Sequence, residues 1–410
     1  MISSKMRIRC SVLKIYTMSL ILNYCESIFW LLAIIFSRGD TENLSQCALY
    51  FAVFLIVQAI FDAGLGTIEK YFPKYYQVLF SGISLCIGGA CLAFGFNPYL
   101  SYLFLGLGLA AKNGSSHAWF REKIRNIQTT IDDVFYVYLE YSRRWGQFLC
   151  AVTTYLLGTS LKQWRLFSFA ALSLSLLIIF SKSESNSSVD EKNSIKDENK
   201  TTNYLGLFII FAAQLFYGID FGIRNLVTNP FVLYELNSGE YNLLALKSFT
   251  QVLSGFAGNK FYLHCLKKQA SNGETKKHIW LFVAMVIYGS FMFLSGYTYR
   301  YEYWICLQIP AIFSMGWYMP MINSAITELS SEKHLTTTLS LRTAIYSLVG
   351  SITLYIYSSD FSQESLRFWL KISGLSLYVA GIIYLLLPFG LNFAKNRDIK
   401  KIKSLMTRIS

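Results

Sequence analysis

The chain alternates between long apolar blocks and short polar breaks. A helix that crosses a bilayer needs about 20 mostly apolar residues. Blocks of that kind fall at 13–36, 46–66, 78–95, 100–120, 145–161 and 166–181. A polar run at 182–203, KSESNSSVDEKNSIKDENKTTN, then interrupts the series. It has no apolar face and too little hydrophobic content to offset its ordering entropy, which predicts a flexible linker. The blocks resume at 204–227, 241–263, 279–297, 303–329, 341–358 and 368–393. The pattern predicts an all-α integral membrane protein of 12 transmembrane helices. Its units are a six-helix half at 1–181, the linker, a second six-helix half at 204–393 and a basic tail at 394–410. Between the fourth and fifth blocks, REKIRNIQTTIDDVFYVYLEYSRRW predicts an amphipathic helix lying in the membrane interface.

Composition sharpens the picture. With 53% hydrophobic and 15% charged residues, the chain is too poor in charge for an ordinary soluble domain. Its 28 Tyr and 32 Phe suit interfacial belts and a wide lipid-facing surface. The net charge of +13 would by itself suit a nucleic-acid partner. The Lys and Arg residues concentrate in alternate loops, however, so they report orientation and no nucleic acid is expected. They place both termini and the linker in the cytoplasm of a multi-pass protein of the cell membrane, the bacterial inner membrane by preference. The basic N-terminus runs into the first block without a convincing cleavage site, so that block reads as a retained span. The eight Cys lie mostly in or beside apolar blocks, with no CxxC pair and no metal spacing. No phosphate-binding G-x-x-x-x-G-K-[ST] loop occurs, and no cofactor is expected. The Asp132-Asp133 pair reads as a solvated helix face, and no enzymatic activity is expected.

Ionisable side chains inside a membrane are costly and point to function. Six stand out: Glu26, Asp62, Lys112, Asp220, Arg224 and Lys247. Glu26 lies midway along the first block. Asp220 and Arg224 have the i,i+4 spacing of a helical ion pair. Lys247 reads as a side chain reaching the outer interface. Pro310 and Pro320 predict a bent tenth span.

Loop motifs add a family resemblance. After the second span the chain reads GTIEKYFPKYY, where Gly66, Glu69, Lys70 and Lys74 resemble a G-x-x-x-D-R-x-G-R-K loop with the acid one residue early. After the eighth span, GFAGNKFYLHCLKK offers Gly255, Gly258 and Lys260, with Asn259 where the acid stands. KNGSSHAWFREKI resembles the A-W-x-x-[DE] exit of drug-exporter-like branches through Ala118, Trp119 and Glu122. On these residues the chain resembles the major facilitator superfamily. The resemblance implies two pseudo-symmetric six-helix bundles, alternating access and a central cavity between spans one, four, seven and ten. It further implies proton coupling by Glu26 and Asp220. Substrate contacts would come from Asn23, Trp30, Lys112, Arg224, Gln308, Trp317, Tyr318 and Asn323. Gating would fall to Asp62, Gly66, Glu69, Lys70, Lys74, Gly255, Gly258, Asn259 and Lys260. The function so implied is proton-coupled export of a small molecule or peptide, such as a drug or a self-made antimicrobial, by a monomer in the lipid bilayer. An uptake symporter, a lipid-linked oligosaccharide flippase and a membrane-bound transferase are the alternatives. The fifth span lacks the proline-containing signature of many antiporters.

Overall fold

The computed structural model describes residues 4–41, 44–68, 71–125, 132–158, 161–181, 202–236, 241–269, 277–331, 334–362 and 364–389. Among them are thirteen α-helices: α1 (Ser4–Thr41), α2 (Leu44–Thr67), α3 (Lys74–Ala93), α4 (Pro98–Ala111), α5 (His117–Arg125), α6 (Asp132–Leu157) and α7 (Leu161–Ser181), then α8 (Tyr204–Pro230), α9 (Tyr241–Gln269), α10 (Lys277–Ser295), α11 (Tyr301–Leu329), α12 (Leu335–Ile356) and α13 (Leu366–Tyr384). Eight of these are long and apolar enough to cross a bilayer: α2, α3, α7, α8 and α10 to α13. The protein is a multi-pass, all-helical membrane protein.

Local chemistry sets several helix ends. Asn97 caps α4, its side chain accepting from the Tyr99 amide at 2.9 Å, and Pro98 occupies the first helical position. Gly95 in the preceding turn has φ +70°, which a residue with a Cβ adopts only at a cost. Asn203 caps α8 by accepting from the Gly206 amide at 3.0 Å. A π-turn at Lys112–Ser116 joins α4 to α5 without a break, and a second, at Phe231–Glu235, follows Pro230 at the end of α8.

Within the first half, α1 packs on α6, α3 on α4 and α7, and α2 on α4. Within the second, α8 packs on α12 and α13, α10 on α13 and α11, and α9 on α11. Two long diagonal contacts join the halves, α2 with α12 and α6 with α9. Ser351 of α12 donates to the Ala52 carbonyl of α2 at 2.8 Å. The buried core is aromatic and aliphatic, yet it also contains charged side chains. Large apolar residues such as Leu156, Phe169, Phe180, Phe208 and Leu253 face outward. That inversion is what a lipid surround selects, since charge is expensive against hydrocarbon.

Two sequence expectations fail here. The segment 121–145 is not one interfacial helix. Residues 121–125 finish α5, 126–131 lie outside the described residues, and 132–145 form the first half of α6. Glu140, Arg143 and Arg144 of that half line an interior cavity. The stretch 255–268 is not a loop either, because α9 continues to Gln269. Gly255 and Gly258 serve close packing there: a Cβ at Gly258 would stand 2.1 Å from the Phe313 carbonyl oxygen and 3.1 Å from the Gly316 Cα of α11. The linker at 182–201 and the basic tail lie outside the described residues. Where the linker ends, the Asn203 amide donates to the Leu329 carbonyl at 2.8 Å, tying it to the end of α11.

Candidate functional site

A cavity of about 220 Å³ opens between the halves. Its wall draws on α1, α2, α4, α5, α6, α8, α9, α10, α11 and α12, with Lys112 of the π-turn. Four ion pairs organise its charge. Lys112 donates to Glu26 of α1, both nearly removed from the surface. Lys112 reaches Glu26 from the first position of the π-turn. Glu140 of α6 pairs with Arg143 at 3.5 Å and with Arg144 at 3.7 Å. Arg224 of α8 lies 3.6 Å from Asp220, one helical turn earlier.

Arg224 is also held by tyrosines. It donates to the hydroxyls of Tyr288 at 2.9 Å and Tyr217 at 3.3 Å, and its guanidinium lies over the rings of Tyr288, Phe221 and Tyr217. Such contacts hold a cation through the ring face. Ser373 of α13 donates to Asp220. Lys247 of α9 donates to the Asn229 side chain. Asn229 in turn donates to the Trp30 carbonyl at 3.0 Å, a bond from the second half to the first. A further bond between the halves joins the hydroxyls of Tyr136 on α6 and Thr327 on α11 at 2.8 Å. Arg342 of α12 donates to Asn323, and its Nε donates to the Gln214 side-chain oxygen at 3.4 Å.

Of the residues singled out from the sequence, Glu26, Lys112, Arg224, Asn23, Trp30, Gln308 and Asn323 line the cavity. Trp317 does not. It packs among Phe261, Trp280 and Phe313, and its indole donates to the Trp280 carbonyl at 3.3 Å. Tyr318 is also set back, bonded to Gln214 at 3.1 Å and Tyr384 at 3.0 Å. Asp220 sits behind Arg224, fully buried and off the wall. Lys247 points inward, where Asn229 accepts its bond, and not to the outer interface.

The residues marked for gating scatter. Asp62 is fully buried on α2, facing Ser340 and Thr343 of α12. Gly66 lies in the last turn of α2, and Glu69 and Lys70 lie outside the described residues. Lys74 pairs with Glu122 of α5 at 3.0 Å. Asn259 is buried on α9 beside the Gly258–Gly316 contact, and Lys260 follows it on the same helix.

The sequence reading missed Glu140, Arg143, Arg144, Asn229 and Arg342. The signal for the first three was present. On a helix, residues 136, 139, 140, 143, 144 and 147 share one face, and all six line the cavity. Their charge density favoured an interfacial reading only because the cavity was not yet in view.

No family profile and no curated protein matches the chain in sequence. Among solved structures, the crystal structure of the nucleoside transporter NupG matches with a TM-score of 0.62 and 12% identity, over 93% of this chain and 99% of that one. The chain shares that transporter's fold, the major facilitator fold.

Proposed function

We propose that this protein is a secondary active transporter that works by alternating access. The observation that carries the reading is the cavity itself: a charged, aromatic-walled chamber between two halves, in a fold shared with a solved transporter. The two six-helix halves, 1–181 and 204–393, rock about it while the 182–203 linker keeps them joined. The packing supports a pseudo-twofold relation. Exchanging halves turns the α1–α6 contact into α8–α12, α3–α7 into α10–α13, α2–α4 into α9–α11, and α2–α12 into α9–α6. Each of these contacts exists. Transporters built from such repeats hold their substrate site near mid-membrane, between the repeats.

Glu26 is the proposed coupling carboxylate, because it reaches the cavity and its partner is a lysine. Protonation of Glu26 releases Lys112 to bind cargo, and deprotonation recaptures it. Asp220 positions Arg224. The cavity's size suits a small molecule better than a peptide. The A-W-x-x-E sequence of Ala118, Trp119 and Glu122 on α5 favours export, with both termini in the cytoplasm, although uptake of the same solute fits the geometry equally. Spin-label pairs spanning the two ends of the α1–α8 junction test the scheme by pulsed electron resonance in lipid. Opposite changes of distance at the two ends are expected. A fixed distance at both ends under every solute and pH condition would sink alternating access.

A further inference from the structure

We propose that the cavity recognises its cargo by negative charge, taking a small aromatic or heteroaromatic molecule that carries a carboxylate or phosphate. The proposal rests on the transporter reading only for the word cargo; the site stands on its own charges.

Six cationic side chains line the cavity: Lys112, Arg143, Arg144, Arg224, Lys247 and Arg342. Only Glu26 and Glu140 oppose them on its wall among the described residues. Asp220 stands behind Arg224, and Asp62 lies within electrostatic reach of Arg342. Counting both, four carboxylates face six cations. Glu26 matches Lys112, Asp220 matches Arg224, and Glu140 matches one of the two arginines beside it. The surplus falls on the Arg143–Arg144 pair and on Lys247, whose bonded partner is the neutral Asn229. An arginine does not shed its proton to escape such a site. A positive surplus inside a membrane protein is held at a cost, and a bound anion removes it.

Geometry indicates where the anion sits. Arg143 on α6 and Arg224 on α8 belong to different halves and lie close enough to repel each other. Lys247 lines the same cavity, and its charge and that of Arg224 repel. The Nε atoms of Arg143 and Arg144 are buried and make no hydrogen bond, while that of Arg224 faces Asp220 at 3.6 Å. Guanidinium groups with N–H bonds to spare match the paired oxygens of a carboxylate or phosphate. An oxyanion between Arg143 and Arg224 turns a repulsion between the halves into a bridge.

The same wall explains the ring. Phe221 and Tyr217 stack at 6.3 Å, and Trp30 meets Phe221 edge-on at 5.5 Å. All three line the cavity next to Arg224. A flat ring lies against this wall while its oxyanion reaches the cations.

The test uses the purified full-length protein in dodecyl maltoside and needs no membrane gradient. Thermal unfolding is followed with three matched pairs: benzoate and benzyl alcohol, phenyl phosphate and phenol, uridine monophosphate and uridine. Inorganic phosphate serves as the ringless anion. At least one aromatic anion should raise the unfolding temperature, with its neutral twin and inorganic phosphate giving smaller shifts. Arg143→Gln leaves Glu140 paired with Arg144 and should weaken anion binding about tenfold to a hundredfold. Lys247→Gln keeps an amide donor for Asn229 and should weaken it in the same direction. Neutral twins binding as tightly as the anions, no anion binding to the folded protein, or wild-type affinity in both variants would overturn the proposal. Anion binding without flux in proteoliposomes would sink the transporter reading and leave this site intact. Flux of a neutral solute with no anion binding would do the reverse.

Discussion

Lys112 and Glu26 form an ion pair that joins the end of α4 to the middle of α1, and the lysine reaches it from a π-turn. Removing one partner leaves a buried charge alone, at about 3–5 kcal/mol, whereas removing both is far less costly. Glu26→Gln and Lys112→Gln should each lower the unfolding temperature, and the double variant should recover much of the loss. Thermal unfolding in detergent gives the cycle directly; additive losses would show that the two side chains do not depend on each other. In proteoliposomes, Glu26→Gln should lose gradient-driven transport.

Asp220 is bonded by Ser373 and sits behind Arg224. Asp220→Asn keeps an acceptor for the serine but frees the arginine from its carboxylate. Such a protein should still couple transport to a pH gradient, with KM altered several-fold. Complete loss of coupling with normal substrate binding would transfer the coupling role from Glu26 to Asp220.

Gly258 lies where α9 and α11 touch backbone to backbone, and Pro320 cannot donate to the Gly316 carbonyl at the same crossing. Gly258→Ala places a methyl group 2.1 Å from a carbonyl oxygen that no side-chain rotation relieves. A loss of about 1–3 kcal/mol is expected, as for other overpacked interiors. Gly64 has nothing within 4 Å of the same virtual methyl, so Gly64→Ala should be neutral or slightly stabilising. Equal melting temperatures for the two variants would refute the packing account.

Tyr136 and Thr327 share a hydrogen bond between α6 and α11. A bond of this kind contributes about 0.5–1.5 kcal/mol. Tyr136→Phe should therefore shift the balance between open and closed forms at that end by roughly two- to tenfold. Pulsed electron resonance between labels on α6 and α11 reads the shift, and an unchanged distance distribution would count against a latch.

The apolar blocks of the sequence carried most of the helical layout, because a lipid-facing helix must be apolar along its length. They fell short at α6, where the block at 145–161 misses the first half of a helix that starts at Asp132. α6 and α9 are long enough to span, yet neither is among the eight helices apolar enough to cross a bilayer. α6 carries Glu140, Arg143 and Arg144, and α9 carries Lys247 and Lys260. Glu26 and Lys112 were legible because single charges stand out in apolar runs. Trp317 and Tyr318 were misjudged because periodicity gives the face of a helix but not which neighbour covers it. Arg342 gave no signal, since one arginine near the start of a span resembles any interfacial anchor.

The wide turn at Lys112–Ser116 holds one residue more than regular winding accommodates. The wide winding absorbs that residue, so five residues here turn through about the same angle as four of ordinary helix. A single-codon deletion therefore restores regular winding and leaves α4 and α5 near their present alignment. The surplus residue is an insertion that the helix takes up locally, without turning its two ends apart.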